Sequence, residues 1–335
     1  MATLYLTEQG SSVRKEQNRL VIERDGRKLG EVHEFKIERV VIFGSVQLSA
    51  SAIGFLLERG IDTAFLSMYG KLKGRLAPLE TKNVSLRLRQ YQRVNEAVFA
   101  TAMARGFITG KIANCQTVLA RHQRNHPECN LEKEAAQLGI LKQRAQAIGS
   151  RDSLRGVEGQ AAAVHFEGLA RMFRRGVTFD KRTRRPPTDP VNSLLSFGYT
   201  LLYNEAISAL AAVGCDPYLG FFHQPSFGRC SLALDLMEEF RPLVGDRLAV
   251  NLLNLGVISP EEFTRAEDGG MRLGDQARRN FLREYERLIN AEFNLVPPQQ
   301  DRTRTTLRKA LHEQALIVRS SLLRETPYQP FQGWR

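Results

Sequence analysis

Arg19-Leu20-Val21-Ile22-Glu23-Arg24-Asp25-Gly26-Arg27-Lys28-Leu29-Gly30-Glu31-Val32 decides how the chain begins. Two strand-type runs flank Asp25-Gly26, a pair suited to the positive-φ positions of a tight turn, so the stretch predicts an antiparallel hairpin. Downstream, Phe35, Ile37, Val41 and Phe43 continue the strand-type content, and Val46 and Leu48 alternate with Ser45, Gln47 and Ser49. One short helix interrupts: Ser49 or Ser51 can cap it, Ile53, Leu56 and Leu57 offer a buried face, and Gly60 sits at its end. Residues 61–66 and 71–76 read as further strands. After Pro78 the periodicity becomes helical, over 86–103, 131–148, 157–173, 190 to about 213, 232–240, 277–293 and 306–323. Strands and helices are segregated, which argues against a doubly wound sheet. The expected class is α+β: a small N-terminal β-rich domain (1–78), then a larger all-α domain (79–325), then an extended tail (326–335).

The chain has 335 residues, 48 Lys plus Arg and 36 Asp plus Glu, a net charge of +12. That excess points to a polyanionic partner, nucleic acid or an acidic membrane face. With 42% hydrophobic and 25% charged residues, collagen-like and wholly disordered classes are excluded. No apolar run approaches the ~20 residues of a membrane span, and Met1 to Gly10 lacks the pattern of a secretory signal. Cys115, Cys129, Cys215 and Cys230 form no CxxC pair and are expected as free, buried thiols in a reducing cytoplasm.

Glu158 stands in Gly156-Val157-Glu158-Gly159-Gln160-Ala161-Ala162-Ala163, an acid among small residues. Small neighbours let a helix or a substrate come close; alternatively, Glu158 is a first-turn acid complementing the helix dipole. His165 lies seven residues on, about 10 Å along a helix, too far to share one ion with it. Any site including Glu158 therefore takes a different histidine. His223, in Gly220-Phe221-Phe222-His223-Gln224-Pro225, precedes a helix on which Asp235 and Glu238 share a face at i, i+3. One His with two or three carboxylates suits a divalent ion of the Mg2+ or Mn2+ kind that leaves positions open for phosphate oxygens. The structural alternative pairs Asp235 and Glu238 with arginines such as Arg241. His122 and His126, at i, i+4 with Cys129 beyond, are either a two-ligand helix face or a plain helix end at Asn125-His126-Pro127.

Arg171, Arg174, Arg175, Lys181, Arg182, Arg184 and Arg185 cluster around a Pro-rich loop at 178–189. Arginine-heavy, loop-borne charge favours phosphate binding over a merely solvated surface. Lys82, Arg87, Arg89 and Arg93 add a second basic stretch.

Four pieces, in order, resemble CRISPR-associated protein one, the endonuclease and integrase of spacer acquisition. They are Gly156-Val157-Glu158-Gly159; Phe179 through Arg184-Arg185-Pro186-Pro187-Thr188-Asp189-Pro190-Val191-Asn192 to Leu195-Ser196-Phe197-Gly198-Tyr199; Gly220-Phe221-Phe222-His223; and Asp235-Leu236-Met237-Glu238-Glu239-Phe240-Arg241-Pro242. The resemblance implies a β-rich dimerisation domain and a helical catalytic domain. It implies a divalent metal held by Glu158, His223 and Glu238, with Asp235 contributing to the same catalytic site. It also implies double-stranded DNA as substrate, a homodimer, and a complex in which two such dimers flank a dimer of CRISPR-associated protein two. The implied reaction is attack of a captured fragment's 3′-hydroxyl on a phosphodiester at the repeat edge. The alternatives are a metal-dependent nuclease without joining activity and a non-catalytic DNA-binding scaffold.

In the tail, Tyr328, Phe331 and Trp334 recur every third residue among prolines, so a polyproline-type strand would line them on one face. They are expected to dock on the protein partner; the alternative is that the tail packs back on its own helices.

Overall fold

Asp25 and Gly26 adopt φ of +52° and +73° and close the hairpin between β3 (Arg19–Arg24) and β4 (Arg27–His33). Both values lie in the region that a two-residue turn demands. The computed structural model describes residues 2–77, 83–299, 302–324 and 326–333, and divides the chain into units at 1–80 and 81–335.

The first unit holds two four-stranded sheets. One runs β4-β3-β2-β6, where β2 is Ser12–Glu16 and β6 is Gln47–Leu48; it is antiparallel except for the parallel β2/β6 pair. The other runs β1-β5-β7-β8, from Ala2–Leu6, Ile37–Phe43, Asp62–Leu66 and Leu72–Leu76, with only β7/β8 antiparallel. Helix α1 (Ala50–Glu58) links β6 to β7. Ser49 caps it by accepting from the Ala52 N–H at 3.2 Å, and Gly60 ends it at φ +63°. Its buried face is Ala52, Phe55 and Leu56 rather than Ile53, Leu56 and Leu57, because the larger Phe55 ring takes the centre. Val13 and Leu20 from one sheet, Leu6, Val40 and Ile42 from the other, and this face form one core.

The second unit contains helices α2 (Val84–Asn95), α3 (Ala97–Asn125), α4 (Glu132–Ala147), α5 (Arg151–Met172), α6 (Pro190–Ala212), α7 (Ser231–Glu238), α8 (Arg247–Asn254), α9 (Asp275–Asn290) and α10 (Leu307–Arg324). Two short hairpins interrupt them: β9 (Phe263–Arg265) with β10 (Met271–Leu273), and β11 (Glu292–Gln299) with β12 (Arg302–Thr306). No described helix is long and apolar enough to cross a membrane, and all four cysteines are buried and free.

The helix expected over 86–103 is two. Glu96 is extended (φ −78°, ψ 101°) and separates α2 from the 29-residue α3. The glycines that weaken α3 as a sequence pattern serve close packing. A Cβ on Gly106 would stand 2.6 Å from the Tyr328 ring, and one on Gly110 within 2.9 Å of Pro330 and Glu239. Helix α5 begins at Arg151, capped by Ser150, so Glu158 lies in the helix interior and the first-turn dipole reading falls. Helix α6 starts where Asp189-Pro190 predicts, with Asp189 accepting from the Asn192 N–H at 2.8 Å. Pro242 does not stop the chain's winding: Pro242–Asp246 forms a widened π-type turn that leads into α8. Such turns often mark functional segments.

The tail expectation needs correction. Tyr328 and Phe331 are only 9% and 4% exposed within their own unit, so they are not available as partner anchors. Trp334 lies outside the described residues. The physical reason is Glu239, a fully buried acid that needs donors. The Tyr328 hydroxyl donates to it at 2.6 Å, the Phe331 N–H at 2.6 Å and the Gln314 amide at 3.3 Å. Burial still pushes its carboxyl up to about 8 against these bonds. Asn114 donates to the Phe331 carbonyl at 3.0 Å and accepts from the Gly333 N–H at 2.7 Å, while the Phe331 and Phe240 rings stack at 5.0 Å. Removing residues 326–335 should therefore destabilise the helical unit by about 3 kcal/mol or more, since each orphaned buried polar group costs about 1–3 kcal/mol. Thermal unfolding of the truncated chain checks this; an unchanged midpoint would show that the segment contributes nothing to the core.

Candidate active site

Asp235 organises the turn that carries His223. It is fully buried on α7 and accepts from the Phe221, Phe222 and His223 N–H groups at 2.6, 3.0 and 2.8 Å. It also bonds His223 Nδ1 at 2.7 Å. The imidazole is thus fixed through Nδ1, and Nε2 remains as its ligand atom. The turn can approach α7 only because residue 220 is glycine: a Cβ there would stand 2.7 Å from the Ser231 backbone.

Glu158 and Glu238 meet on a residue that the sequence reading did not single out. Lys111 Nζ, on α3, lies 2.5 Å from Glu158 Oε1 and 2.7 Å from Glu238 Oε2. Arg241 reaches the other Glu238 oxygen at 3.1 Å. Burial opposes ionisation of Glu238, but Arg241, then Lys111 and His223, hold its carboxyl down at about 2. Burial likewise opposes the charge on Lys111, yet Glu238 and Glu158 raise its pKa. A signal for Lys111 exists: it is the only charge between Gly106 and Ala120, a run otherwise rich in buried apolar side chains. A lone charge on such a helix face needs a buried partner.

Among the described residues, no three His, Cys, Asp or Glu side chains stand in a ready-made metal cage. The two carboxylates do converge, through Lys111, while His223 adds to the field at Glu238 from longer range. The donors suit a divalent cation. Two carboxylates already share one positive charge, Glu238 Oε2 is buried against the Lys111 ammonium, and Asp235 leaves His223 Nε2 as a donor atom. Asp235 itself is occupied by four bonds, which makes Glu238 the better ligand of the two. Gly156 and Gly159 beside Glu158 have nothing within 4 Å of where a Cβ would stand, so no helix packs there and the approach is open.

Behind the acids runs a second layer. Arg241 lies 5.0 Å over the Tyr199 ring, and Arg182 lies 5.5 Å from the same ring. The Tyr199 hydroxyl donates to Asp246, which pairs with His165 at 2.7 Å. Burial disfavours a charged His165, but the adjoining Cys115 and Asp246 outweigh it and push its pKa up to about 10. The widened turn before α8 places Asp246 in this layer, and Gly245 lies so close to Tyr199 that a Cβ would stand 2.5 Å from the ring.

The expected DNA-binding arginines divide. Arg182 is half-buried and donates to Asn192 at 2.7 Å and Ser196 at 3.0 Å, so it shapes the loop rather than presenting charge. Arg171 pairs with Glu134 and bonds the Asn130 carbonyl at 3.0 Å; Arg174 pairs with Glu128 at 3.4 Å. Arg175, Arg184 and Arg185 are exposed. Lys82, of the second basic stretch, lies outside the described residues.

A family model described as "CRISPR associated protein Cas1" matches residues 4–287. An endonuclease named Cas1 from Thermus thermophilus is 33% identical over 99% of this chain and 100% of its own length. A fusion named as exonuclease Cas4 with endonuclease Cas1, from Geobacter sulfurreducens, is 37% identical over 98% of this chain, which spans 59% of the fusion. Among solved structures, a CAS1 protein from Thermotoga maritima superposes with a TM-score of 0.82 at 25% identity, covering 100% of both chains. A chain of a Cas6-RT-Cas1–Cas2 complex has the same TM-score and identity over 100% of this chain and 36% of its own.

Proposed function

The chain belongs to the CRISPR-associated Cas1 family, and on that premise we propose that it cleaves and joins DNA with a divalent metal at Glu158, His223 and Glu238. The observation that carries this reading is the meeting of Glu158 and Glu238, from helices far apart in sequence, on Lys111, with His223 tied back by Asp235. Mg2+ or Mn2+ held by the two carboxylates and His223 Nε2 supplies charge to polarise a scissile phosphate and stabilise the charge developing on it. The chain's own residues do the rest. Asp235 keeps His223 in one tautomer and orientation. Lys111 and Arg241 offset the repulsion between the acids and border the phosphate. The open surface at Gly156 and Gly159 admits a polymer to Glu158. The nucleophile is the 3′-hydroxyl of a DNA fragment in joining, and water in cleavage.

The proposed partners are double-stranded DNA, a second copy of the chain through the β-rich unit, and a Cas2 protein. The Cas2 assignment is supported by the structural relative solved in a Cas1–Cas2 assembly. The experiment is a strand-transfer assay with the purified chain, a Cas2 partner, a short duplex with 3′-hydroxyl ends, a repeat-bearing plasmid and Mn2+. Covalently joined product is the expected result. Cleavage without joining would reduce the reading to a nuclease, and neither activity would leave a DNA-binding scaffold.

Arg184 and Arg185 give a separate prediction. Replacing both by Gln should weaken duplex binding with little sequence dependence, and reduce the slope of log K against log salt by about 0.9 for each phosphate that is no longer neutralised. Titrations at several salt concentrations read this directly; an unchanged slope assigns the two residues to solvated surface. Arg182→Gln should instead lower stability, because its guanidinium holds Asn192 and Ser196.

A further inference from the structure

Pro242–Asp246 is wound wider than an α-helix, and the residues at its two ends give the reason. Arg241 stands just before the turn and Asp246 closes it. Five positions apart, they would point about 140° from each other around an α-helix. In the π-type turn the Arg247 N–H reaches back five residues to the Pro242 carbonyl, and the wider winding brings Arg241 and Asp246 toward one side. Both meet Tyr199 there. The Arg241 guanidinium lies 5.0 Å over its ring, and Asp246 accepts from its hydroxyl. Given the metal site proposed above, on which this rests, we infer that Tyr199 is a positioning residue for DNA cleavage and joining: its ring, tethered by Asp246, sets where Arg241 meets Glu238.

The ring is tied down from behind. Gly198 lies against the turn, where a Cβ would stand 3.4 Å from the Gly245 Cα, so α6 and the turn are in close contact. Asp246 is 1% exposed and both its oxygens are engaged, Oδ1 by Tyr199 and Oδ2 by His165 Nε2 at 2.7 Å. His165 is also buried and stands on α5, the helix that carries Glu158. Burial, then Asp246, hold the Tyr199 hydroxyl well above its ordinary pKa, so it stays protonated and keeps donating. The ring so fixed offers its electron-rich face to two cations, Arg241 and, at 5.5 Å, Arg182. The two guanidiniums repel each other, and the shared ring holds both in place. Arg241 in turn reaches Glu238 Oε1 at 3.1 Å, while Lys111 takes Oε2 at 2.7 Å. A carboxylate held between two cations takes its direction from both. Lys111 is set by Glu158 as well, and Arg241 is set by Tyr199. A freed guanidinium lets Glu238 turn, and a misplacement of about 1 Å at a reacting group can cost about a hundredfold in rate.

The test is a double-mutant cycle on single-turnover rates of the full chain in the strand-transfer assay with Mn2+. Tyr199→Leu removes the ring and should slow cleavage and joining about 10–100-fold, as for other residues that orient a ligand. The Kd for duplex should stay within about threefold of wild type, because the exposed Arg184 and Arg185 that carry phosphate binding are untouched. Arg241→Gln alone should slow the reaction at least about tenfold. In that background Tyr199→Leu should cost no more than about a further twofold, since the group that Tyr199 places is already gone. Tyr199→Phe keeps the ring but loses the tether, and should fall between wild type and Tyr199→Leu. If the leucine variant does not fold, the same cycle is run with Tyr199→Phe, whose several-fold loss should likewise vanish in the Arg241→Gln background. A merely structural role for Tyr199 would weaken duplex binding along with the rate, and its effect would multiply with that of Arg241→Gln. Either of those results, or a Tyr199→Leu chain as fast as wild type, overturns the inference and leaves the metal site standing. A wild-type chain that neither cleaves nor joins overturns the metal site itself, and the inference with it.

Discussion

Replacing Lys111 by methionine is expected to lower the unfolding midpoint by roughly 6–12 °C in metal-free buffer, and millimolar Mn2+ is expected to restore most of the loss. The argument rests on the balance of buried charge. Lys111 is 12% exposed and Glu238 4%, and Lys111 is the ammonium that both Glu158 and Glu238 touch. Methionine keeps the apolar stem but leaves two carboxylates facing each other with Arg241 as the remaining close cation on Glu238. Removing one partner of a buried ion pair costs about 3–5 kcal/mol, discounted here toward the lower figure because Glu158 is 24% exposed. A divalent ion bound by the same carboxylates replaces the missing charge and stabilises by mass action. The wild-type midpoint should respond less to Mn2+, because the ion competes with a resident ammonium. Calorimetry of both proteins with and without the ion distinguishes the outcomes. A variant as stable as wild type without metal would mean that Lys111 is not the counter-ion of the pair.

The second large effect is on chemistry. Glu158→Gln, His223→Ala and Glu238→Gln should each reduce metal-dependent cleavage and joining by about a thousandfold or more, about 4 kcal/mol of transition-state stabilisation. Duplex binding should change by no more than about threefold, since the exposed arginines 175, 184 and 185 lie outside the acid cluster. Asp235→Asn should fall in between, about 10–100-fold, as for residues that orient a ligand without being one. An amide cannot accept from three backbone N–H groups and the imidazole together. Single-turnover rates alongside binding isotherms separate the two effects. A Glu158→Gln chain that joins DNA at the wild-type rate would remove Glu158 from the site.

What was legible in the sequence was local. The Asp25-Gly26 turn and the Ser49 and Asp189 caps each depend on residues within one turn of chain. Asp235 was placed in one site with His223 as an acid beside Glu238; that it holds the His223 turn, 12 positions away, appears only in the fold. What was not legible depends on partners brought together by folding. Lys111 meets Glu158 across 47 positions, and it lies beyond the helix read over 86–103. Arg182 carries the same charge as Arg184, and only the fold shows that Asn192 and Ser196 hold the first. The every-third spacing of the tail aromatics pointed to a partner surface, whereas Tyr328 and Phe331 are buried in their own chain, because spacing carries no information about which surface does the burying. Here the deciding acid, Glu239, stands next to a proposed ligand and reads as an ordinary helix glutamate.

The bonds from Glu239 to Tyr328 and Phe331 also set a timetable. The Phe331 N–H is 92 positions downstream of the acid that it satisfies. At about 5–20 residues per second, a ribosome needs roughly 5–20 s after making Glu239 to supply that donor. The β-rich unit, complete by residue 80, can fold while translation continues. The helical unit cannot close its core until residue 331 has emerged. Because Glu238 is the neighbour of Glu239, the acid cluster reaches its final geometry only with that closure. A nascent chain therefore carries its sheets early and its chemistry last, so a truncated translation product would hold a folded β-rich unit without a working reaction centre.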